Sequence, residues 1–309
     1  TDSVGFHPVM GALAKLYTDD SAVCVLQGVG YPNPSQSHFR SMDVWHAGST
    51  AEQLTDGWLG RALREKPVPG FHLAGGNESA PLALTGAPAR VPSVASLDDF
   101  RLKTAAVTGA DAAAQKGAIA DLASGGRKPP ESAAPNLLDF VSRTQMSTYA
   151  SSEKLAGVGK NYTPKVPYPT SGLANRLKLA AQLIDAGIGA RLFYVSIDGF
   201  DTHAGQGGTA GAHGERVCVM TFSEFGRRAY ENGSKGTDHG AAAPLLLVGG
   251  KVKPGVVGAH PSLQGLKEGN LVHATDFRRV YAAVLDRWLG VDAKTIVGDG
   301  FKPADVFAE

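Results

Sequence analysis

Cysteine is scarce: only Cys24 and Cys218 occur in 309 residues, inside the short apolar runs 22–26 and 217–220. Neither belongs to a Cys-x-x-Cys pair, which excludes the common zinc-ribbon and dithiol redox arrangements. Two buried free thiols are the expected state, because an unpaired cysteine packs as a small hydrophobe, with a disulfide between neighbouring strands as the alternative. Net charge is also nearly absent. Lys+Arg 30 against Asp+Glu 29 leaves +1, so no global field selects nucleic acid or an anionic membrane, and any preference for anions must be local. No apolar run approaches the roughly 18 residues of a membrane span, and Thr1-Asp2-Ser3-Val4 has no signal-peptide pattern, so the chain reads as soluble. Neither a Gly-x-Ser-x-Gly elbow nor a Walker or Rossmann glycine fingerprint stands between a strand and a helix.

What is present is an α/β pattern with 43% hydrophobic residues, ample for a buried core. Val23-Cys24-Val25-Leu26, Leu192-Phe193-Tyr194-Val195, Val217-Cys218-Val219-Met220 and Leu245-Leu246-Leu247-Val248 are continuous apolar runs, as in strands buried on both faces. Helical spacing separates them. Phe277, Val280, Tyr281, Val284, Leu285, Trp288 and Leu289 predict a C-terminal helix capped by Thr275 and ended by Gly290. Leu173, Leu177, Ala181 and Ile184 predict another that ends at Gly187 and leads into the strand 191–197. One α/β domain over residues 1–309 is expected. A loop-rich excursion at about 88–135 interrupts it, rich in Ala, Gly, Ser and Pro, with an Ala-rich helix around 105–122.

Chemistry-bearing residues collect where the apolar runs end. Asp198-Gly199-Phe200-Asp201-Thr202-His203 follows one run and Thr237-Asp238-His239-Gly240 follows another. Asp201 and His203 are two apart, so in extended chain both face one side and can share an ion, whereas Asp198 suits a capping role equally well. Asp238 and His239 are adjacent and diverge unless a tight turn at Gly240 gathers them on one metal or two. Carboxylate oxygen and neutral imidazole both suit zinc-like divalent ions. His260 and His213 are further imidazoles on loops, where exposure is the ordinary state. The segment 31–43 runs from a Pro/Asn loop into a predicted helix, which makes Ser37 either a nucleophile at a helix N-terminus or a cap. His38 and Arg40 beside it bind an oxyanion or are solvated. Glu224 is a metal ligand or base and Arg227 a fork for anionic oxygens, with a structural salt bridge as the alternative for each.

The stretches 27–34, 37–43, 199–203, 220–228 and 237–240 resemble a bacterial family called DUF1501, grouped with the alkaline-phosphatase and sulfatase superfamily. The resemblance implies a three-layer α/β sandwich around a mainly parallel sheet, alkaline-phosphatase-like, with metals at the carboxyl ends of the strands. It implies a metal-dependent hydrolase of phosphate or sulfate esters, with Ser37 as nucleophile and Arg40 or Arg227 binding the oxyanion. Zinc is the first choice of metal, calcium or manganese the others, held among Asp201, His203, Glu224, Asp238, His239 and His260. Asp238-His239 matches the superfamily's Asp-His pair, yet by place after the strand 223–226 fills that position and His239 is the later histidine. The ligand is then a small-molecule or polysaccharide anionic ester, and the location periplasmic or secreted. Two departures accompany the likeness: no Gly-Gly-Asn-Asp-like strand end precedes Val4, and 205–214 stands where the family has a helix. Either segments are missing from the chain, or part of the site is lost, which leads to the alternative of a non-catalytic binding or assembly protein with a degenerate metal site.

Overall fold

The computed structural model describes residues 5–75, 78–88, 91–97, 162–197 and 217–308, with the single positions 113, 114, 117, 118, 121, 155 and 158. The expected Ala-rich helix at 105–122 falls almost wholly outside these residues, and Asp198, Asp201, His203, His213 and 205–214 lie outside them entirely. Two compact units make up the chain, Thr1–Leu54 with Asp198–Glu309, and Thr55–Ile197.

The first unit opens with α1 (Gly11–Thr18), β1 (Val23–Gly30) and α2 (His38–Ala47). In β1 every residue but Val25 is buried, as a continuous apolar run requires. Helix α2 begins at Ser37, whose extended backbone marks the cap, and ends at Gly48 in the left-handed region at φ 62°. Its buried residues include Ser41, Val44 and Trp45, a stripe at three- and four-residue spacing.

The second unit holds α3 (Trp58–Glu65), β2 (Gly70–Leu73), β3 (Ser93–Val94), α4 (Gly172–Asp185) and β4 (Leu192–Val195). Strand β2 pairs in parallel with both β3 and β4. Phe71, Leu73, Val94, Leu155, Leu179 and Leu183 form its core. Helix α4 runs where the sequence predicts, with Ser171 Oγ accepting from the Ala174 amide at 3.1 Å and Gly187 at φ 61° beyond its end. Its deepest face is displaced from the expected stripe. Ala174, Leu179 and Leu183 are buried, while Leu173, Leu177, Ala181 and Ile184 are half-buried, because the helix carries two adjoining apolar rows and the sheet takes only one.

The first unit then resumes with β5 (Val219–Met220), β6 (Gly226–Arg227), β7 (His239–Gly240), β8 (Ala242–Val248), β9 (Gly255–Val257), β10 (Thr275–Asp276), α5 (Phe277–Ala283) and α6 (Ala293–Val297). Its sheet runs β10-β1-β8-β5, with β9 also on β1. Pairing of β1 with β9 and β10 is parallel, but with β8 it is antiparallel, Val23 opposite Val248 and Leu26 opposite Leu245. The fold is therefore α/β with a parallel sheet in one unit and a mixed sheet in the other. An apolar run is silent on strand direction, and the run 217–220, expected to be buried on both faces, forms only the two-residue β5 with Val219 exposed. Between Leu26 and Val29 the register shifts by a bulge, which Gly28 accommodates at φ 59°.

The C-terminal helix forms as predicted, with two corrections. Thr275 lies in β10 opposite Val29, so the cap is Asp276, whose Oδ1 accepts from the Arg278 amide at 3.0 Å. Beyond Ala283 the helix widens into a π-helical segment, Val284–Leu289, before Gly290 closes it at φ 65°. Among the described residues, no helix is long and apolar enough to cross a membrane.

Candidate functional site

Aromatic packing brings the distant parts of the site together. Trp45, on the buried face of α2, stacks on Phe277 at 4.3 Å and on Phe222 at 5.7 Å between centroids. Fixing Phe222 there carries the chain that follows it, Ser223-Glu224-Phe225, alongside the start of α2. Strand β6 begins at once and pairs with β7, Gly226 opposite Gly240 and Arg227 opposite His239. Residues directly opposite in an antiparallel pair share a face, so Arg227 and His239 project together.

Three rings and a carboxylate result. His38 Nδ1 lies 2.8 Å from Glu224 Oε1. The His38 ring meets His239 at 4.6 Å and Phe225 at 4.8 Å, both edge-on, and Phe225 stacks on His239 at 4.2 Å. His239 Nδ1 donates to the Gln36 carbonyl at 3.1 Å. A carboxylate and a carbonyl accept only, so in both contacts the imidazole Nδ1 carries a proton. Glu224 is engaged at both oxygens, since Ser223 Oγ donates to Oε2 at 3.2 Å. His38 is 39% exposed at its side chain and Glu224 19%, so the pair stands at an open surface. Behind it, burial lowers the His46 pKa to about 4 despite the carboxylates of Asp43 and Glu224, and the ring is neutral.

Ser37 caps α2 by backbone conformation while its side chain makes no capping hydrogen bond, and it is exposed beside His38. The structure thus brings together Ser37, Glu224, Arg227 and His239, and adds His38 as the group that joins them. Arg227 Nη1 donates to the Thr237 carbonyl at 2.9 Å, which stiffens the hairpin. The remaining sequence candidates lie differently. Asp238 alternates away from His239 and accepts from Asn232 Nδ2 at 2.9 Å. Arg40 donates to the carbonyls of Thr50 and Glu52 at 3.3 and 3.1 Å, and to that of Ala51 as well, tying α2 to the following loop. His260 is exposed and its imidazole contacts the Pro261 carbonyl at 2.8 Å. Among the described residues, no group of three His, Cys, Asp or Glu side chains is disposed to hold a metal ion.

Tyr31, Ser41 and Phe225 are the supporting residues that sequence reasoning does not reach. Ser41 Oγ donates to the Glu224 carbonyl at 2.6 Å and lies 2.9 Å from Tyr31 Oη, which in turn accepts from the Ser35 amide at 3.0 Å. The cysteines take no part: burial raises Cys24 to about 11 and Cys218 to about 12, and both are free.

Residues 211–299 match the model of a family described as protein of unknown function (DUF1501). That segment carries Glu224, Arg227, Asp238, His239 and His260. No curated protein and no solved structure matches the chain.

Proposed function

We propose that this cluster is the reaction centre of a metal-dependent hydrolase of phosphate or sulfate esters. The observation that carries the reading is the 2.8 Å contact of His38 Nδ1 with Glu224 Oε1, made beside Ser37 where α2 begins. Ser37 Oγ attacks phosphorus or sulfur, the bond to the alcohol oxygen breaks as the new bond forms, and water then displaces Ser37 from the group, releasing phosphate or sulfate and restoring the hydroxyl. His38, held in one tautomer by Glu224, takes the serine proton and returns it to the departing alcohol. The first amides of α2 and the guanidinium of Arg227 attract the anionic oxygens.

The donors suit a zinc-like ion, with calcium or manganese as alternatives, and the contact of His239 Nδ1 with a backbone carbonyl is the support a ligating imidazole has. The described residues alone fall short of a full ligand set, so the reading adds Asp201 and His203 to His239 as donors, with Glu224 as a further one. When bound, the ion would neutralise charge on the transferred group and acidify the attacking hydroxyl. The same reading carries the three-layer, alkaline-phosphatase-like sandwich, which β3-β2-β4 supports by its parallel pairing and β1 with β8 does not.

Aryl phosphates and aryl sulfates, offered to zinc- or manganese-supplemented protein, test this. Hydrolysis is expected, lost on chelation and reduced at least about 100-fold in Ser37→Ala. Equal activity in wild type and variant removes Ser37 from the mechanism. Asp238, turned from His239 onto Asn232, favours a second reading, a binding or assembly protein with a degenerate metal site; absence of both metal uptake and hydrolysis would select it.

A further inference from the structure

A second group of reactive side chains lies in the other unit, on the parallel sheet β3-β2-β4. His72 of β2 stands in register with Ser93 of β3 and Tyr194 of β4, so the three share one face, while Phe71, Leu73 and Val94 turn to the opposite face and pack with Leu179 and Leu183 of α4. His72 is 1% exposed, and its Nδ1 lies 2.9 Å from Ser93 Oγ. Its other nitrogen, Nε2, faces Glu78 Oε2 at 3.9 Å, in ion-pair range, and that oxygen is buried with no hydrogen-bond partner among the described residues. The second Glu78 oxygen lies 3.3 Å from Arg176 Nη2, and Arg176 Nη1 donates to the Ser196 carbonyl just beyond β4. Gly75 makes room for this pair, since a Cβ there would stand 1.8 Å from Arg176 Nη2 and 2.7 Å from Glu78 Oε1. A buried acceptor facing Nε2 favours the proton on that nitrogen, which leaves Nδ1 to accept from the Ser93 hydroxyl. Burial also lowers the His72 pKa, so the ring is a neutral base at neutral pH.

We propose that Ser93, His72 and Glu78 form a second reaction centre, an acyl-transfer triad for an uncharged carboxylic ester. An activated nucleophile needs a base within hydrogen-bond reach of the hydroxyl and a third group that orients the base, and His72 and Glu78 fill those places. Ser93 is half-buried on an edge strand of its sheet, so it keeps the surface that His72 lacks. The amides of His72 and Ala74 donate to the carbonyls of Pro92 and Val94, so the Ser93 amide between them points away from β2, where it can donate to an oxyanion. Ser93 Oγ bonds to the carbonyl carbon as its proton passes to His72 Nδ1, and the imidazolium so formed is drawn onto Glu78. The bond to the alcohol oxygen then breaks and that oxygen takes the proton. Water, deprotonated by the same nitrogen, next attacks the acyl-serine, releasing the acid and restoring the hydroxyl. The ester is uncharged because Arg176, the cation that reaches this group, is engaged with Glu78 and the Ser196 carbonyl.

4-Nitrophenyl dimethylcarbamate tests this on the full chain, because a carbamoyl serine turns over slowly and survives peptide mass spectrometry. Wild type is expected to release 4-nitrophenolate in a stoichiometric burst and to carry the carbamoyl group on Ser93. A chelator should leave the burst unchanged, since the triad needs no metal. Ser93→Ala should lose both burst and label, and Glu78→Gln, which keeps the side-chain shape, should slow labelling at least about tenfold. No burst in wild type, or a label on Ser37, a lysine or any side chain other than Ser93, overturns the triad, and wild type alone decides this whatever the variants do to folding. Labelling of Ser93 at the wild-type rate in Glu78→Gln overturns it as well, since the hydroxyl then reacts without the carboxylate. Chelator-sensitive hydrolysis of aryl phosphates beside an unmodified Ser93 sinks this centre and leaves the first one standing.

Discussion

Tyr31, Ser41 and Glu224 share a hydrogen-bond chain whose direction follows from its ends. The Ser35 amide donates to Tyr31 Oη and Ser41 Oγ donates to the Glu224 carbonyl, so the tyrosine proton must point to Ser41. Ser41 is wholly buried and Tyr31 nearly so. The chain holds a loop with a conformational cost of its own, since Asn33 precedes Pro34 and adopts φ 51°. Tyr31→Phe keeps the ring that meets Phe277 at 5.9 Å edge-on but removes the acceptor for the Ser35 amide and the donor to Ser41. Destabilisation of about 1–3 kcal/mol is expected, read from the urea midpoint, with a matching loss in Ser41→Ala. An unchanged midpoint in Tyr31→Phe would show that water replaces the phenol and that the chain positions nothing. These contacts illustrate what the residues did and did not disclose. Ser37, Glu224 and His239 were legible because each follows an apolar run, but sequence separations of 183, 186 and 203 divide Ser41 from Glu224, His38 from Glu224 and His239 from Gln36. No local period encodes such pairs; the Phe222-Trp45-Phe277 stack creates them.

At the scale of elements, the hairpin of β6 and β7 depends on close backbone approach. A Cβ at Gly226 would stand 1.7 Å from the Ala242 carbonyl oxygen, an atom that cannot yield without moving β8. Gly226→Ala is therefore expected to destabilise by roughly 1–3 kcal/mol or more and to displace His239 from His38. Gly233→Ala, in the same hairpin's loop with nothing within 4 Å of the added carbon, should change stability by less than about 0.5 kcal/mol. Equal denaturation midpoints for the two variants would refute the close approach. Elements with a strong period were readable beforehand: β1, β4, β8, α4 and the helix from Phe277 all lie where apolar spacing puts them. The two-residue strands β6, β7 and β10 were not, because two residues carry no period. Strand direction was equally hidden, and so was the π-helical widening after Ala283, which the stripe 277–289 fits as well as it fits an α-helix.

At the scale of the molecule, three histidines among the described residues enter the folded state with their pKa values lowered by burial. His46 is brought to about 4, while His72 and His273 shift in the same direction, Glu78 and Asp276 respectively opposing and Arg176 and Arg278 adding to the shift. They sit in both units, His72 in the second and the other two in the first. Each is neutral when folded and titrates near 6.5 when unfolded, so below that value the unfolded chain binds more protons and gains on the folded one. The contribution is fully present above about pH 7 and is lost as pH falls, for His46 until about pH 4. At about 1.4 kcal/mol per pKa unit, His46 alone accounts for on the order of 3 kcal/mol across that window. The urea midpoint should fall steadily between pH 7 and 5, with net proton uptake on unfolding. His46→Leu removes one titrating group from the α2 interior and should flatten the slope, whatever it does to the midpoint at pH 7.5. A midpoint constant from pH 7 to 5, or an identical slope in the variant, would mean that His46 reaches solvent and titrates as in an open chain. In that case the wall behind Glu224 is wetter than its packing against Phe222, 6.2 Å between ring centres, implies.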